Sequence, residues 1–382
     1  MDSTGEGRAG WAAQWPREAA ARVRAAEGAG SVETMTERSA DAGGDGARGA
    51  PAGLPEKILI TGGHEIGGIS SFAEALRGGF EGRGIGVEIL APGTIFRRRQ
   101  ELRDARILKI LSTAAVFAAP VARRTLCMAH GVPRADAQGW RTVCGIIASF
   151  HVANRCSGVQ LVSVSHYTAA TLRAVFNVRT DAVIRNPVKP LFLEPVDEPH
   201  GERNYLTYAG RLIAAKNPHR MIPALRDVLD ENPGLRVCII GQGKLRPVLE
   251  SMIGDDPRFE FRDAPDDVTL REWLRRTRVF FSGNEVEGFG ITYLEALTQG
   301  CIVAMPAGGG GLEIAPEQVG AAVQLLPLSW DRREIVAALR RALGQVWAAP
   351  DTRPFTIDAV AGFYLEVDSR FAPDGRIAGR RG

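Results

Sequence analysis

The sequence predicts an α/β protein built from two domains, each with a mostly parallel sheet. Three observations carry this prediction. The chain has 382 residues, which is enough for two medium-sized domains. Short apolar strands alternate with helical patterns from Lys57 onwards, as repeated βαβ units require. Several strands end in glycine-rich turns, and open sheets of this kind bind ligands at the carboxyl ends of their strands.

Composition excludes several classes of protein. The net charge of +3 is close to balanced and gives no reason to expect nucleic-acid binding. The five cysteines are scattered without a CxxC pair, which indicates reduced thiols and neither a disulfide framework nor a zinc site. The first residues lack the apolar core of a secretory signal, and no apolar run approaches the length of about 18 residues that suggests a membrane span. We therefore expect a cytoplasmic protein.

The first domain is predicted over residues 56–192, after a tail at 1–55 whose low aliphatic content predicts disorder. Lys57–Thr61 forms a short apolar strand, and a glycine-rich turn over 62–70 follows it. The helical pattern after the turn passes through Phe72, Leu76 and Phe80. The G-x-G-x-x-G spacing of dinucleotide-binding folds is absent from this turn, which argues against an NAD site.

A basic stretch lies in the middle of this domain. Arg103, Arg106 and Lys109 predict a helical region that runs into the apolar segment 110–120. The favoured interpretation is the solvated face of an amphipathic helix. The alternative is a basic surface over 97–124 that contacts anionic lipid at the inner face of the membrane.

A histidine follows the next apolar strand. Thr125–Gly131 reads as a strand that ends in His130-Gly131, and a strand end of this kind points into the ligand-binding crevice. His130 is therefore a candidate polar group near a reacting centre. A structural histidine with satisfied hydrogen bonds is the alternative interpretation.

The second domain is predicted over residues 193–350, and a helix at 351–372 is expected to cross back to the first. Its first strand, Tyr205–Ala209, leads into a loop that carries Arg211 and Lys216. Arginine offers a bidentate fork and lysine a point charge, a combination that suits a diphosphate. Two solvated surface cations are the simpler alternative.

The loop after the strand Arg278–Ser282 combines an anion site with two carboxylates. A helix begins near Gly290 and ends at Gly300, so its free N–H groups and dipole favour an anion. Glu287 and Glu295, with seven residues between them, are expected to accept hydrogen bonds from ligand hydroxyls. A helix-capping Glu and an exposed helical Glu are the alternative.

This stretch, residues 284–300, resembles the E-x7-E signature of retaining glycosyltransferases with the GT-B fold, most closely those of family 4. The resemblance implies two Rossmann-like domains that face each other across a cleft. It also implies that Glu287 and the amides after it contact the donor sugar, while Glu295 holds the ribose of the nucleotide. The amides belong to Gly288, Phe289, Gly290 and Ile291.

Further elements match the same family in the same order, and the resemblance covers residues 57–370. Arg211 and Lys216, after Gly210, match its G-R-L-x-x-x-K-N element and would neutralise the leaving diphosphate. The remaining matches are Gly68 in the N-domain GG loop, Gly241 and Gly243 beside the base, Arg262 as a weak base contact, and His130 near the donor sugar. Pro187 and Lys189 depart from the family's N-G-V-D turn.

The resemblance implies transfer of a sugar from a UDP-, GDP- or dTDP-linked donor to an acceptor hydroxyl of a natural product, glycan or lipid. Arg211, Lys216, Glu287 and His130 would be the catalytic residues, and no metal or other cofactor is expected. A nucleotide-sugar epimerase of the same fold and a non-catalytic nucleotide-binding protein are the alternatives. The sequence leaves the base, the sugar, the acceptor and the oligomeric state open.

Overall fold

The computed structural model describes residues 57–61, 68–90, 106–109, 124–156, 158–194, 196 and 203–370. The predicted tail at 1–55 and most of the basic 97–124 segment lie outside this part of the chain. The chain divides into two compact units. The first comprises the chain up to Pro133, Val143–Arg185 and the chain from Ala361 onwards, and the second comprises Arg134–Thr142 and Asn186–Val360.

The first unit contains a parallel sheet. Its strands are β1 (Lys57–Thr61), β2 (Gly86–Leu90), β3 (Arg106–Lys109), β4 (Arg124–Ala129), β5 (Val159–Ser163) and β6 (Ala182–Val183). They lie in the order β2-β1-β3-β4-β5-β6, and every pairing is parallel. The predicted α/β class is confirmed for this unit, because parallel neighbours need crossover connections.

The predicted helix through Arg106 and Lys109 is wrong. Arg106–Lys109 is a strand that pairs with β1 on one side and with β4 on the other. Ile107, between the charged ends of this strand, is a β-branched residue of the type that strands favour. Pairing with two neighbouring strands is a non-local effect that local periodicity does not report.

The second unit has the strand order of a doubly wound fold. Its strands are β7 (Tyr205–Ala209), β8 (Arg236–Ile240), β9 (Phe259–Arg262), β10 (Thr277–Phe281), β11 (Ile302–Pro306) and β12 (Val323–Leu326). The order is β12-β11-β10-β7-β8-β9, with parallel pairing throughout. Read from β9, this is the 3-2-1-4-5-6 order of dinucleotide-binding sheets.

Helices connect these strands. Up to Leu193 they are α1 (Gly68–Glu81), α2 (Ala135–Gln138), α3 (Trp140–Arg155), α4 (His166–Phe176) and α5 (Pro190–Leu193). After it they are α6 (Pro218–Glu231), α7 (Arg246–Ile253), α8 (Asp267–Arg276), α9 (Ile291–Thr298), α10 (Arg332–Gly344) and α11 (Ile357–Ser369). The junction between the two predicted domains is helical at 190–193, since Pro190 starts α5, and Phe192 in this helix is fully buried.

Each unit has its own apolar core. In the first, Tyr364 of α11 packs edge-on against Phe80 at 6.5 Å between ring centroids, and its hydroxyl lies 2.7 Å from the Met128 sulfur. In the second, α6 and α10 bury one apolar face each, including Leu225 and Leu339. These cores hold the strands in register, so the loops at the carboxyl ends of the strands have fixed starting points.

Candidate functional site

The candidate site of the second unit lies where the strand order of its sheet reverses. β7 and β10 are neighbours at this point, and their connections leave in opposite directions along the sheet. Ligands of open α/β sheets bind in the crevice outside the carboxyl ends of such a strand pair. The loop after β7 carries Arg211 and Lys216, and the loop after β10 carries Glu287 and Gly290. Residues far apart in sequence therefore meet here.

Lys216 and Glu287 form an ion pair. The Lys216 Nζ lies 3.1 Å from the Glu287 Oε2, and the Asn284 Nδ2 donates to the same oxygen at 2.6 Å. Burial by itself would raise the pKa of Glu287. The charge of the Lys216 ammonium and the hydrogen bonds from Asn284, Lys216 and the Gly288 N–H together outweigh burial, and the pKa of Glu287 lies below its usual range. Glu287 is thus a carboxylate at neutral pH.

Arg211 lies one residue beyond Gly210 at the end of β7. Its side chain is exposed and makes no ion pair or hydrogen bond within the described part of the chain. Its backbone carbonyl is fixed, because the Tyr208 hydroxyl donates to it at 2.9 Å. The guanidinium is thus attached to a fixed backbone and free to take an anionic ligand.

The glycine turn after β8 packs backbone against backbone with the loop after β7. A Cβ added to Gly241 would lie 2.0 Å from the Gly210 carbonyl oxygen, and one on Gly243 would lie 2.3 Å from that of Leu212. The Gly210 N–H also donates to the Ile240 carbonyl at 3.0 Å. Gly241 and Gly243 are therefore needed to bring these two loops together, whether or not they contact a ligand.

The N-terminus of α9 is open. Gly290 is its N-cap, with a φ of 86°, and supplies no side-chain cap to the N–H groups of the first turn. A Cβ there would lie 2.7 Å from the Tyr293 ring, so a side chain at this position is excluded. The Phe289 side chain is buried, 6.0 Å from the Phe355 ring centroid, and so only its backbone is available to a ligand. Ile291 is the first residue of the helix.

Glu295 is on the same helix in different surroundings. Its side chain is 6% exposed, and burial raises its pKa to about 7, with Lys189 lowering the pKa and Asp267 raising it. The Lys189 Nζ lies 2.5 and 2.6 Å from the two Asp267 carboxylate oxygens, which compete for its charge. A carboxyl with a pKa near neutrality titrates in the physiological range.

Arg262, the weakest of the sequence candidates, already has partners within the sheet. Its guanidinium pairs with Glu260 at 2.5 Å and lies over the Trp273 ring, 5.3 Å from the centroid. These contacts direct it toward the surface of the sheet. Arg262 therefore has a structural explanation independent of a nucleobase.

The first unit holds two further predicted residues. His130 directly follows β4, and its ring contacts Phe72 edge-on at 5.0 Å between centroids. Its Nε2 is buried with no hydrogen-bond partner among the described residues, and burial lowers its pKa to about 4. The imidazole is thus neutral at pH 7. Gly68 is the first residue of α1, so the predicted turn over 62–70 is helical from Gly68 onwards, while its residues 62–67 lie outside the described part of the chain.

Sequence reasoning missed four side chains around these groups. Asn284 contacts Glu287, and Asp267 pairs with Lys189, which was noted only as a departure from a motif. Glu285 and Trp330 hydrogen bond to each other across 45 residues of sequence. Asn284 stands three residues before Glu287, a local signal that could have identified it. The other contacts depend on loops that converge only in the fold.

The described residues contain neither a candidate metal site nor a candidate membrane-spanning helix. Among the described residues, no group of three or more His, Cys, Asp and Glu side chains is arranged to hold a metal ion. Of the adjacent carboxylates Asp266 and Asp267, the first caps α8 by accepting from the Thr269 N–H at 2.8 Å, and the second pairs with Lys189. No described helix is long and apolar enough to cross a bilayer.

The chain is similar in sequence to known glycosyltransferases. The family model described as glycosyl transferases group 1 matches residues 193–343. A D-inositol 3-phosphate glycosyltransferase of Streptomyces scabiei is 27% identical over 172 residues, which is 42% of this chain and 36% of that protein. A GDP-mannose-dependent monoacylated alpha-(1-6)-phosphatidylinositol monomannoside mannosyltransferase of Corynebacterium glutamicum is 31% identical over 124 residues, 30% of this chain and 32% of that protein. The chain thus spans about a third of the length of these relatives.

Solved structures resemble more of the chain. HepE of Anabaena, in complex with UDP and glucose, has a TM-score of 0.60 at 14% identity over 83% of this chain and 100% of that chain. Sucrose-phosphate synthase of Thermosynechococcus elongatus has a TM-score of 0.65 at 15% identity, over 82% of this chain and 98% of that chain. At such identities the likeness establishes the fold. Residues 193–343 therefore match the model of the glycosyl transferases group 1 family, on a chain that has the GT-B fold.

Proposed function

We propose that this protein is a retaining glycosyltransferase that moves a sugar from a nucleoside diphosphate sugar to an acceptor hydroxyl. The observation that carries the proposal is the Lys216–Glu287 pair, 3.1 Å apart, at the switch point of a glycosyl transferases group 1 domain. A lysine, an exposed arginine and an uncapped helix N-terminus provide positive charge for the leaving diphosphate. The adjacent carboxylate provides an acceptor for sugar hydroxyls.

The reaction breaks the bond between the anomeric carbon and the phosphate oxygen, and the bonding electrons leave with the diphosphate. Lys216 and Arg211 stabilise the negative charge that builds up on that oxygen, together with the N–H groups at the start of α9. Because this charge is greatest in the transition state, such stabilisation accelerates the reaction. The acceptor hydroxyl bonds to the anomeric carbon on the face that the diphosphate leaves, and its proton passes to the departing diphosphate oxygen. His130, which burial keeps neutral, is proposed as a further catalytic residue, in the role of a polar contact for the sugar or the acceptor. No metal ion is required in this scheme.

Glu295 would accept hydrogen bonds from the ribose hydroxyls of the donor. The carboxylate is a better acceptor than the protonated acid. Since burial raises the pKa of Glu295 to about 7, we expect nucleotide affinity to rise between pH 6 and pH 8. Calorimetric titrations at both pH values test this expectation. A Glu295→Gln variant with the same pH dependence as wild type would remove the ribose role.

The donor is a UDP-, GDP- or dTDP-sugar. HepE was solved with UDP and glucose, and the Corynebacterium relative is named for its dependence on GDP-mannose, so UDP and GDP have the strongest support. The named relatives act on D-inositol 3-phosphate and on a phosphatidylinositol mannoside. An acceptor search would therefore start with inositol phosphates and inositol lipids, ahead of other polyol, glycan and natural-product acceptors. A lipid acceptor would also give the basic 97–124 segment a role at the membrane surface.

The first experiment is a thermal-shift scan of the purified protein against UDP-, GDP- and dTDP-sugars. A ligand at about 100 times its dissociation constant stabilises the folded state by roughly 2.7 kcal/mol, which such a scan detects. One responding base would support the proposal and define the donor for acceptor screening. A folded protein that responds to none of the donors would contradict it.

The same donor separates the proposal from its alternatives. An epimerase would convert the bound nucleotide sugar to an isomer without an acceptor, and chromatography of the donor after incubation reveals such a product. A non-catalytic binding protein would bind the donor and release no nucleoside diphosphate with any acceptor. A transferase releases nucleoside diphosphate in proportion to the glycosylated acceptor.

A further inference from the structure

Glu285 lies two residues before Glu287 and outside the sequence signature of the site. Its Oε1 accepts two hydrogen bonds from side chains of two other loops. The Asn217 Nδ2 donates at 3.2 Å and the Trp330 Nε1 donates at 2.7 Å. Glu285 therefore connects three loops, those after β7, β10 and β12. The Trp330–Glu285–Asn217 chain is called the loop bridge below.

The first end of the loop bridge is next to Lys216. Asn217 follows Lys216 directly, and its Nδ2 also donates to the Gly283 carbonyl at 3.1 Å. The two loops touch through their backbones, because a Cβ on Gly283 would lie 2.9 Å from the carbonyl oxygens of Lys216 and Asn217. The loop after β10 can therefore shift relative to Lys216 only if these contacts break.

The other end of the loop bridge is a strained residue. Trp330 has a φ of 57°, in the left-handed region, which is strained for a residue with a bulky side chain. The hydrogen bond to Glu285 and the Arg220 guanidinium, 5.2 Å from the Trp330 ring centroid, hold it there. Trp330 directly precedes Asp331, which caps α10 by accepting from two backbone N–H groups. The strained residue is thus directly connected to the capped N-terminus of α10.

Glu287 is also held from another loop. Its carbonyl accepts from the Gly310 N–H at 2.7 Å, and a Cβ on Gly309 would lie 2.9 Å from the Glu287 nitrogen. The backbone of Glu287 is thereby fixed on one side by the loop after β11. The loop bridge fixes the preceding residues on the other side. Between them, the two sets of contacts set where the Glu287 carboxylate meets Lys216.

We propose that Glu285 and Trp330 are positioning residues that hold Lys216 and Glu287 in place, and thereby set the affinity of the site for the diphosphate of the donor. This inference rests on the proposed function, since it assigns Lys216 to the diphosphate. Glu285 and Trp330 contact Asn217 and each other, and neither makes a hydrogen bond to Lys216 or Glu287 within the described residues. Their effect is therefore transmitted through the loops.

The test compares a nucleoside diphosphate with its monophosphate by calorimetry. The pairs are UDP with UMP, GDP with GMP and dTDP with dTMP, and the pair that wild type binds is used for the variants. Glu285→Ala removes both hydrogen bonds of the loop bridge, and Trp330→Phe removes one while keeping a ring under Arg220. We expect Glu285→Ala to weaken diphosphate binding about tenfold, the usual effect of losing a hydrogen bond to a charged group, and to leave monophosphate binding within about twofold. Trp330→Phe should show a smaller loss with the same selectivity.

Two controls separate positioning from a general loss of structure. Glu285→Gln keeps an oxygen acceptor at the same place and should bind both nucleotides as wild type does. Ser329→Ala removes a hydrogen bond to Glu334 from the same loop as Trp330 and should leave the ratio of the two affinities unchanged. Circular dichroism and thermal unfolding establish that each variant is folded.

The outcomes are distinct. A selective loss of diphosphate affinity in Glu285→Ala, restored in Glu285→Gln, supports the loop bridge. Equal weakening of both nucleotides, or unchanged binding in a folded Glu285→Ala protein, overturns it while the proposed function stands. Wild-type protein that binds no nucleoside diphosphate overturns the proposed function and this assignment together.

Discussion

In the second unit two glutamates each interact with a lysine, but their pKa values are shifted in opposite directions. Glu287 lies 3.1 Å from Lys216, and its pKa is lowered. Glu295 interacts with Lys189 at longer range, and its pKa is raised to about 7. Both glutamates come from one stretch of sequence, and both side chains are largely removed from water. Sequence spacing therefore does not decide which of them is charged at neutral pH.

The pKa values of the two glutamates differ because Lys189 is paired with a second carboxylate, whereas Lys216 pairs with Glu287. Asn284 and the Gly288 N–H add to the effect of Lys216 on Glu287, so the carboxylate has three sources of stabilisation. Asp267 takes the Lys189 ammonium at 2.5 Å and also repels a charge on Glu295. A buried carboxyl without a dedicated partner tends to remain protonated. The comparison teaches that a nearby lysine stabilises a buried carboxylate only if another anion has not already neutralised it.

The largest expected effect breaks the first pair. Lys216→Ala removes the cation assigned to the diphosphate, and we expect turnover to fall about 100-fold or more, as the loss of one transition-state donor typically causes. Arg211→Ala should have an effect of the same order. The measurement is the rate of nucleoside diphosphate release with the donor found in the scan. Arg333→Ala, an exposed cation on α10, serves as the control, and near-wild-type turnover in Lys216→Ala would exclude its assignment.

The second prediction concerns the stability cost of Glu295. Its pKa rises from 4.5 to about 7 on folding, so its contribution to stability is fully present below pH 4.5 and is lost as pH rises to 7. The loss reaches about 3 kcal/mol, at roughly 1.4 kcal/mol per pH unit of pKa difference. Glu295→Gln should therefore unfold at a higher urea concentration than wild type at pH 8, and close to wild type at pH 4.5.

The control for this prediction is Glu272→Gln, which removes an exposed carboxylate from α8 and should leave the pH dependence unchanged. Urea denaturation of the three proteins at pH 4.5, 6 and 8 gives the comparison. A Glu295→Gln variant no more stable than wild type at pH 8 would mean that the carboxylate is well stabilised in the fold. Glu295 would then resemble Glu287, whose charged form is stabilised in the folded protein.

The smallest expected effect comes from removing Asp267, the anion that competes with Glu295 for the charge of Lys189. Asp267→Asn leaves Lys189 without its competing anion, so the Lys189 charge acts on Glu295 alone and the pKa of Glu295 should fall. The stability loss between pH 4.5 and pH 7 should shrink by about 1 kcal/mol, the order of one ion-pair interaction near a surface. The same urea series measures it. An unchanged pH dependence would show that burial alone sets the pKa of Glu295.

Local sequence predicted most of the elements that build the site. Strand β10, the loop after it and helix α9, which Gly300 follows two residues later with a φ of 84°, have the predicted order. Pro218 starts α6 as its position after a loop indicates. These features depend on apolar periodicity, on proline and glycine, and on helix caps. All of them act over a few residues, and the sequence displays them directly.

The sequence by itself determined the α/β class, the order of strands, loops and helices, and the residue types that meet at the switch point. Only the tertiary structure decided that Arg106–Lys109 is a strand, that Asp267 pairs with Lys189, and that Trp330 supports Glu285. Strand pairing, burial and ion pairing join residues that are distant in sequence, whereas periodicity and motifs report on neighbours. The charge on Glu295 was also decided only by the tertiary structure, because it depends on which side chains interact with Lys189.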